Sequence, residues 1–402
     1  MIVHLGGRLS QGLSNRSATL WLVGMSGLLA GCPLGVVPPN EDGGQSIVDG
    51  NRDPSLTSPL GKTAGEPNGD FAQPIVAVFD AQGVARLQGT VARNGDIDVY
   101  LLGPLNAGDR VTVDAYATGS SLDTAITMFD NEERLVLNND DRDEQTLDSY
   151  VDFIVRHAGE RYYLAVSHFR FAANRERSGA YRVDIQLDSG FEVPLPVAQT
   201  LFLDFDGAVV NSPVLAPNGA SITLAPFDAG AIASLYEGQT QTIKDQIVEV
   251  MIQNYERFDV TVVSSDDPLP AAGTGVSTIY FGGFDQSVFG IAEDVDEYNI
   301  HRCDDALIFA ETFTPAVFSG IPSATQLGTA IANVAAHEAG HLLGLNHTDD
   351  DTDLMDDQSP ADAFLQDQEF KSAPLSSDIM LLGVQDGVLL LNEIVGPRED
   401  DN

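Results

Sequence analysis

Apolar and polar residues alternate in short runs between about residue 73 and residue 190. "IDVYLLG", "DRVTVDAYA", "TAITMFD", "YVDFIVRHAG", "RYYLAVSHF" and "GAYRVDIQL" are separated by Gly, Asn and Asp turns. Period-two runs rich in β-branched and aromatic residues predict an antiparallel β-sandwich. From about residue 195 to residue 402 the pattern becomes mixed. "QTLFLDFDG", "DVTVVSSDDP", "STIYFGGFD" and "DDALIFAETF" read as strands. Between the first two, Ile243, Ile247, Val250, Met251 and Tyr255 recur at three- and four-residue steps, the period of an amphipathic helix. A second helix opens at Ser323 with Gln326 three positions on, a capping-box pattern. A third, in "GVQDGVLLLNEIVG", stops at Gly396-Pro397. The expected architecture is therefore multidomain, a sandwich over 73–190 followed by an α+β domain over 195–402.

The beginning of the chain has no such period. Arg8 and Arg16 precede "ATLWLVGMSGLLAG", an apolar run too short to span a bilayer comfortably. The run ends in Leu29-Ala30-Gly31-Cys32, which resembles a bacterial lipobox, with residues 1–31 as the signal and Cys32 carrying the lipid. An ordinary signal peptide with an incidental cysteine is the alternative. The resemblance implies an exported protein anchored to a bacterial membrane through Cys32. Residues 32–72 are dominated by Pro, Gly, Ser, Asn and Asp and are expected to form a disordered tether. With Cys32 lipidated, Cys303 stands alone, no intramolecular disulfide is expected, and Cys303 reads as a small buried hydrophobe at a strand edge.

Composition sharpens this picture. The 402 residues are 43% hydrophobic, enough for two cores. The formal charge is −40, and Lys62, Lys244 and Lys371 are the only lysines. Such a surface repels phosphate backbones, so no nucleic-acid partner is expected.

The chemistry concentrates in "HEAGHLLGLNH", residues 337–347. On a helix, His337 and His341 lie on one face a turn apart and can converge on one metal ion. Glu338 then sits beside the metal without ligating it, placed to polarise water. A catalytic zinc usually takes three protein ligands. Gly344 tolerates positive φ, so the chain can end the helix there and turn His347 back onto the same ion. A buried helix end that merely contains histidines would have to account for Glu338, Gly344, His347 and Met355 together. The run matches every fixed position of H-E-x-x-H-x-x-G-x-x-H and so resembles the metzincin signature. Met355, eight residues past His347, fits the methionine turn of that family, and the interval resembles the matrixin branch.

The resemblance implies a zinc endopeptidase with His337, His341 and His347 as ligands and Glu338 as general base, acting on proteins outside the cytoplasm. It also implies that "DDALIFAE" forms the upper edge of the cleft, where an extended substrate would add as a strand. Where matrixins carry Pro-x-Tyr after the methionine, this chain has Asp356, Asp357 and Gln358, which leaves the shape of the specificity pocket open. Asp349-Asp350-Asp351-Thr352-Asp353 reads either as a solvated loop or as a cation site.

The sandwich resembles the pre-peptidase C-terminal domain, on Gly95 to Tyr100, Asp123 to Asp130 and "LVLNNDDRDEQTLDSYV", which implies a jelly-roll-like sandwich, although here it precedes the catalytic region. Its acidic turn offers Asp140, Asp141 and Asp143 as oxygen ligands for calcium, or is a polar hairpin turn. His157 and His168 fall on sandwich strands and are expected in solvent-facing or structural roles; His301, two positions before Cys303, has no obvious partner in the sequence. The competing reading is a surface-anchored binding or adhesion protein whose sandwich recognises a partner and whose peptidase domain is inactive.

Overall fold

The computed structural model describes residues 68–142, 146–170, 177–216, 221–268 and 275–399. The signal segment, Cys32, most of the tether and Asp143 lie outside the described residues.

The first domain is the expected sandwich. Strands β1 (Ile75–Val76), β3 (Asp98–Leu105), β5 (Thr124–Phe129), β6 (Leu135–Asn139) and β8 (Gly159–His168) make one sheet, in the order β1-β3-β8-β5-β6. Strands β2 (Val84–Val91), β4 (Arg110–Ala117), β7 (Ser149–Ile154) and β9 (Gly179–Asp188) make the other, in the order β2-β9-β4-β7. Inward positions such as Leu87, Val111, Val113, Val183 and Ile185 meet Tyr100, Ile126, Met128 and Leu164 between the sheets. The sequence pattern does not single out β2 or β6. Gly89 interrupts β2, and a Cβ there would stand 2.2 Å from the Tyr181 hydroxyl. That hydroxyl belongs to a buried network in which Tyr181 donates to Asp98, Asn68 donates to the same carboxylate, and the Tyr100 and Tyr181 oxygens lie 2.7 Å apart. Asn68 thus belongs to the sandwich, and the Val99 amide donates to its carbonyl at 2.9 Å. The folded body begins at least five residues before the expected boundary at 73.

Strands β3, β5 and β8 are buried on both faces, which explains their nearly continuous apolar runs. Their outer face carries Ile97, Val99, Phe129, Tyr163 and Ala165, which pack against Leu375 and Met380 of the second domain.

The second domain has a five-stranded sheet: β10 (Gln199–Asp204), β13 (Val260–Ser264), β14 (Val276–Phe281), β15 (Gly290–Ala292) and β16 (Asp305–Ile308). Its order is β13-β10-β14-β16-β15, parallel except for β15. A small hairpin, β11 (Val209–Val210) with β12 (Ile222–Thr223), covers one face around Leu224, Leu307 and Phe309. A single-turn helix α1 (Ala229–Ile232) leads into α2 (Thr240–Tyr255), which packs with α3 (Ala324–Leu342) on the other face. The five apolar positions anticipated for α2 are all buried. The Ser323 capping box is present at the start of α3. Strands β17 (Ser372–Pro374) and β18 (Val384–Asp386) form a hairpin before α4 (Gly387–Ile394), whose cap is the Asp386 side chain on the Leu389 amide.

Two expectations are corrected. Strand β16 is internal, and the edge is the three-residue β15, too short and too glycine-rich to show a period. Cys303 sits half-buried in the turn before β16 rather than as a buried hydrophobe in a strand. It is disulfide-bonded, with its partner outside the described residues. No helix among the described residues is long and apolar enough to cross a membrane.

Candidate metal centre

Helix α3 places His337 and His341 one turn apart, and the end of that helix delivers the third histidine. The Gly344 amide donates to the His341 carbonyl at 2.8 Å and the Leu345 amide to the Gly340 carbonyl at 2.9 Å, the paired bonds of a Schellman ending. Gly344 has φ +90°, and a Cβ there would meet the Asp296 carbonyl and the Tyr298 nitrogen at 2.8 Å. Both the backbone conformation and the space require glycine. The chain reverses, and His347 faces the helix.

The Nε2 atoms of His337 and His341 are 3.1 Å apart, and those of His337 and His347 are 3.2 Å apart. Their rings are almost wholly buried, at 3%, 0% and 2% exposure in sequence order. His337 Nδ1 lies 2.7 Å from the Leu354 carbonyl, and His341 Nδ1 lies 2.7 Å from the Leu345 carbonyl. A carbonyl only accepts, so these two Nδ1 atoms carry protons, and in the neutral rings the Nε2 atoms present lone pairs. Burial, then the neighbouring imidazoles, drives the His337 pKa down to about 3 and lowers that of His341 strongly, which keeps both rings neutral. Facing lone pairs without a proton between them repel, and a shared cation removes the conflict. At a Zn–N distance of about 2.0–2.1 Å, tetrahedral geometry separates ligand nitrogens by about 3.3 Å. The donor set, its spacing and its tautomers therefore fit zinc. Among the described residues this is the one cluster of three or more His, Cys, Asp or Glu side chains close enough to hold an ion.

Glu338 is fully buried, and neither carboxylate oxygen has a hydrogen-bond partner. Burial pushes its carboxyl up to about 8, opposed by the backbone of Ala292 on β15. Gly290 makes room for it: a Cβ there would stand 2.7 Å from Glu338 Oε1. Beneath the ligands lies Met355, fully buried, with its sulfur 2.6 Å from where a Gly340 Cβ would be. Gly290 and Gly340 carry no separate sequence signal, because what excludes a side chain comes from remote segments.

The residues after Met355 turn inward. Asp357 is buried, with Oδ2 3.2 Å from His347 Nδ1. The acidic stretch before Met355 is largely a hydrogen-bonded loop. Asp350 pairs with Lys371 at 2.8 Å, which holds its carboxyl at about 2, and buried Asp353 accepts from the Thr348 hydroxyl at 2.8 Å. His168 is structural, with Nε2 accepting from the Gly95 amide at 3.1 Å. His301 lies beside Asp296 at 3.5 Å, and His157 beside Glu393 at 2.9 Å.

Asp140 and Asp141 do not join the histidine cluster. They stand at the end of β6, half-buried, and Asp140 faces Asp294 and Glu297 of the second domain. Burial, then Asp141, raises the Asp140 carboxyl to about 7.

The family model for matrixin matches residues 104–370. No curated protein matches the sequence. Among solved structures, the chain is similar to the periplasmic g-type lysozyme inhibitor PliG of Aeromonas hydrophila, at 18% identity and TM-score 0.23, over 29% of this chain and 96% of that one. It is similar to the pre-peptidase C-terminal domain of a Bacillus anthracis collagenase, at 10% identity and TM-score 0.22, over 28% and 94%. It is also similar to archaemetzincin of Methanopyrus kandleri, at 13% identity and TM-score 0.23, over 41% and 88%. With TM-scores this low, these chains place no residue of the site.

Proposed function

Because the chain belongs to the matrixin family and is a zinc metallopeptidase, we propose that it is an endopeptidase that hydrolyses extracytoplasmic proteins with Glu338 as general base. The observation that carries this reading is the convergence of three imidazole Nε2 atoms beside an unpartnered, buried carboxylate. Zinc, when bound by His337, His341 and His347, supplies Lewis acidity toward water and the scissile carbonyl. Glu338 accepts the proton of the attacking water and returns it to the leaving amine. Its raised proton affinity suits both halves of that transfer. Strand β15 pairs only with β16 among the described residues. An extended peptide added along its free side would run past Gly290, directly over Glu338.

The purified chain should contain one zinc and cleave a generic protein such as casein, with cleavage lost on chelation and restored by zinc. Glu338→Gln should keep the zinc and lose about 10²–10⁴-fold in rate, the usual contribution of general acid–base catalysis. A zinc-loaded Gln variant of full activity would remove Glu338 from its role.

Two further parts of the reading concern place and regulation. The lipobox-like run supports a lipid anchor at Cys32 and export to the periplasmic or outer face of a bacterial membrane. One sulfur cannot carry both a thioether and a disulfide. The mass of the chain from the native membrane therefore decides between lipidated Cys32 and an internal bridge to Cys303, the only other cysteine. Calcium, if bound, would be held by Asp140, which crowds against Asp294 and Glu297, and by the neighbouring Asp141. Calorimetric titration of the full chain giving no heat would remove calcium from the reading.

A further inference from the structure

The three zinc-ligand candidates differ in what stands behind them. His337 and His341 each give Nδ1–H to a neutral backbone carbonyl. His347 lies outside the helix, and its Nδ1 makes no aligned hydrogen bond; a carboxylate oxygen, Asp357 Oδ2, lies at ion-pair distance from it, 3.2 Å. Both side chains are buried, with 2% and 6% of their surface exposed. Asp357 reaches this position through backbone pairing. The Thr348 amide donates to the Met355 carbonyl at 2.9 Å, and a parallel bridge joins Thr348 to Asp356. In that parallel register Met355 stands opposite His347, and Asp357, two residues further on, reaches back with its side chain to the His347 ring.

We propose that Asp357 is a positioning residue for the third ligand, whose carboxylate fixes the His347 ring with Nε2 aimed at the zinc. The proposal rests on the peptidase reading and adds to it a residue that the family signature does not contain. It gives a structural reason for the replacement of Pro-x-Tyr in this chain.

The physical case has three parts. His347 is packed but, unlike the two helical rings, has no backbone carbonyl on its Nδ1, so its tautomer and rotation need another constraint. A carboxylate on Nδ1 supplies both, and strengthens Nε2 as a donor. Three neutral imidazoles leave the double charge of a buried zinc uncompensated, and a buried ion is costly without opposite charge nearby. Asp357, against the His347 ring, and Glu338, next in the chain to His337, are placed to supply it. The second oxygen of Asp357, Oδ1, has no hydrogen-bond partner among the described residues.

The test measures zinc affinity directly, by competition with a chromophoric chelator, on the full chain and on Asp357→Asn, Asp357→Ala and Asp357→Glu. The Asn and Ala variants are expected to bind zinc 10- to 100-fold more weakly, the usual cost of removing such a partner. Their metal-free melting temperatures should stay close to that of the parent. The Glu variant keeps the charge and should recover part of the affinity. Cobalt substitution adds a second readout: the visible band of the Asn variant should shift as the third ligand loosens. Equal zinc affinity in parent and Asn variant overturns the proposal, and so does a loss that Glu does not reverse and that tracks a lower metal-free melting temperature. A parent chain that binds no zinc would overturn the peptidase reading, and this assignment with it.

Discussion

At the scale of single residues, the site depends on what is missing as much as on what is present. Gly344 combines φ +90° with backbone atoms 2.8 Å from any added Cβ. Gly340 leaves room for the Met355 sulfur and Gly290 for the Glu338 carboxylate. Replacing Gly344 by Ala should cost about 1–2 kcal/mol for the left-handed backbone alone, and more where the Asp296 and Tyr298 backbone must retreat. Urea unfolding of the metal-free variant should show the lowered midpoint, and zinc binding should weaken because His347 moves with the turn; a midpoint equal to that of the parent would contradict this account. The histidines, Glu338, Gly344 and Met355 are legible in the sequence because their relation is set by helix pitch and one turn, all within nineteen residues. Gly290, Gly340 and Asp357 are not, since each acquires its role from a segment that only folding brings near. Asp357 shows the limit well. In sequence it marks a departure from the matrixin pattern, and only the pairing of Thr348 with Asp356 reveals what it faces.

At the scale of elements, long periodic segments were readable and short ones were not. Helices α2 and α3 declare themselves through spacing and a cap. Strand β15, three residues long, declares nothing, yet it is the edge above Glu338. The β17–β18 hairpin was equally silent, and it holds the segment carrying His347. The Asn346 amide donates to Gln385 Oε1 at 2.7 Å, and Gln385 Nε2 donates to the Asn346 carbonyl at 2.6 Å. The Ser376 amide donates to the His347 carbonyl at 2.9 Å. Gln385 is wholly buried and acts on Asn346 as a neighbouring strand would. Gln385→Leu would keep the volume and leave one amide and one carbonyl unpaired, at about 1–3 kcal/mol for each buried orphan. The expected result is lower stability together with weaker zinc binding. Full zinc affinity in a destabilised variant would show that the hairpin supports the fold but not the ligand.

At the scale of the whole molecule, the same hairpin ties the metal centre to the sandwich. Leu375 and Met380 are buried in the outer face of the first domain, and the Val384 amide donates to the Glu133 carbonyl at 3.2 Å. A second contact runs through the loop behind Gly344. Tyr298 donates its hydroxyl to the Val136 carbonyl at 2.9 Å, and Glu297 accepts from the Asn138 amide. The sandwich is therefore joined to both segments that shape the third ligand, and its place ahead of the catalytic region gives it a structural role there. The sequence marked two domains correctly but held no sign of this joint, because outward-facing strand residues look the same whether water or another domain covers them.

The joint is acidic, and that sets its response to pH. Burial, followed by Asp294 and Asp140, raises the Glu297 carboxyl from 4.5 to about 8, while Asp140 rises from 3.8 to about 7. In the unfolded chain both lose their protons in the ordinary carboxylate range, whereas the folded joint retains them until about pH 7–8. Between those limits the folded state binds more protons, so stability is greatest at the acid end and falls as pH rises. In chelator-containing buffer, the urea midpoint of the full chain should decline from pH 5 to pH 8. Glu297→Gln cannot ionise and still accepts from Asn138, so its midpoint should decline less steeply. A parent midpoint that rises over this interval, or a Gln variant with the same slope, would show that the joint does not hold these protons. Calcium bound at Asp140 and Asp141 would supply the missing positive charge and flatten the decline, so the same titration repeated with calcium separates proton from metal as the neutraliser of this interface.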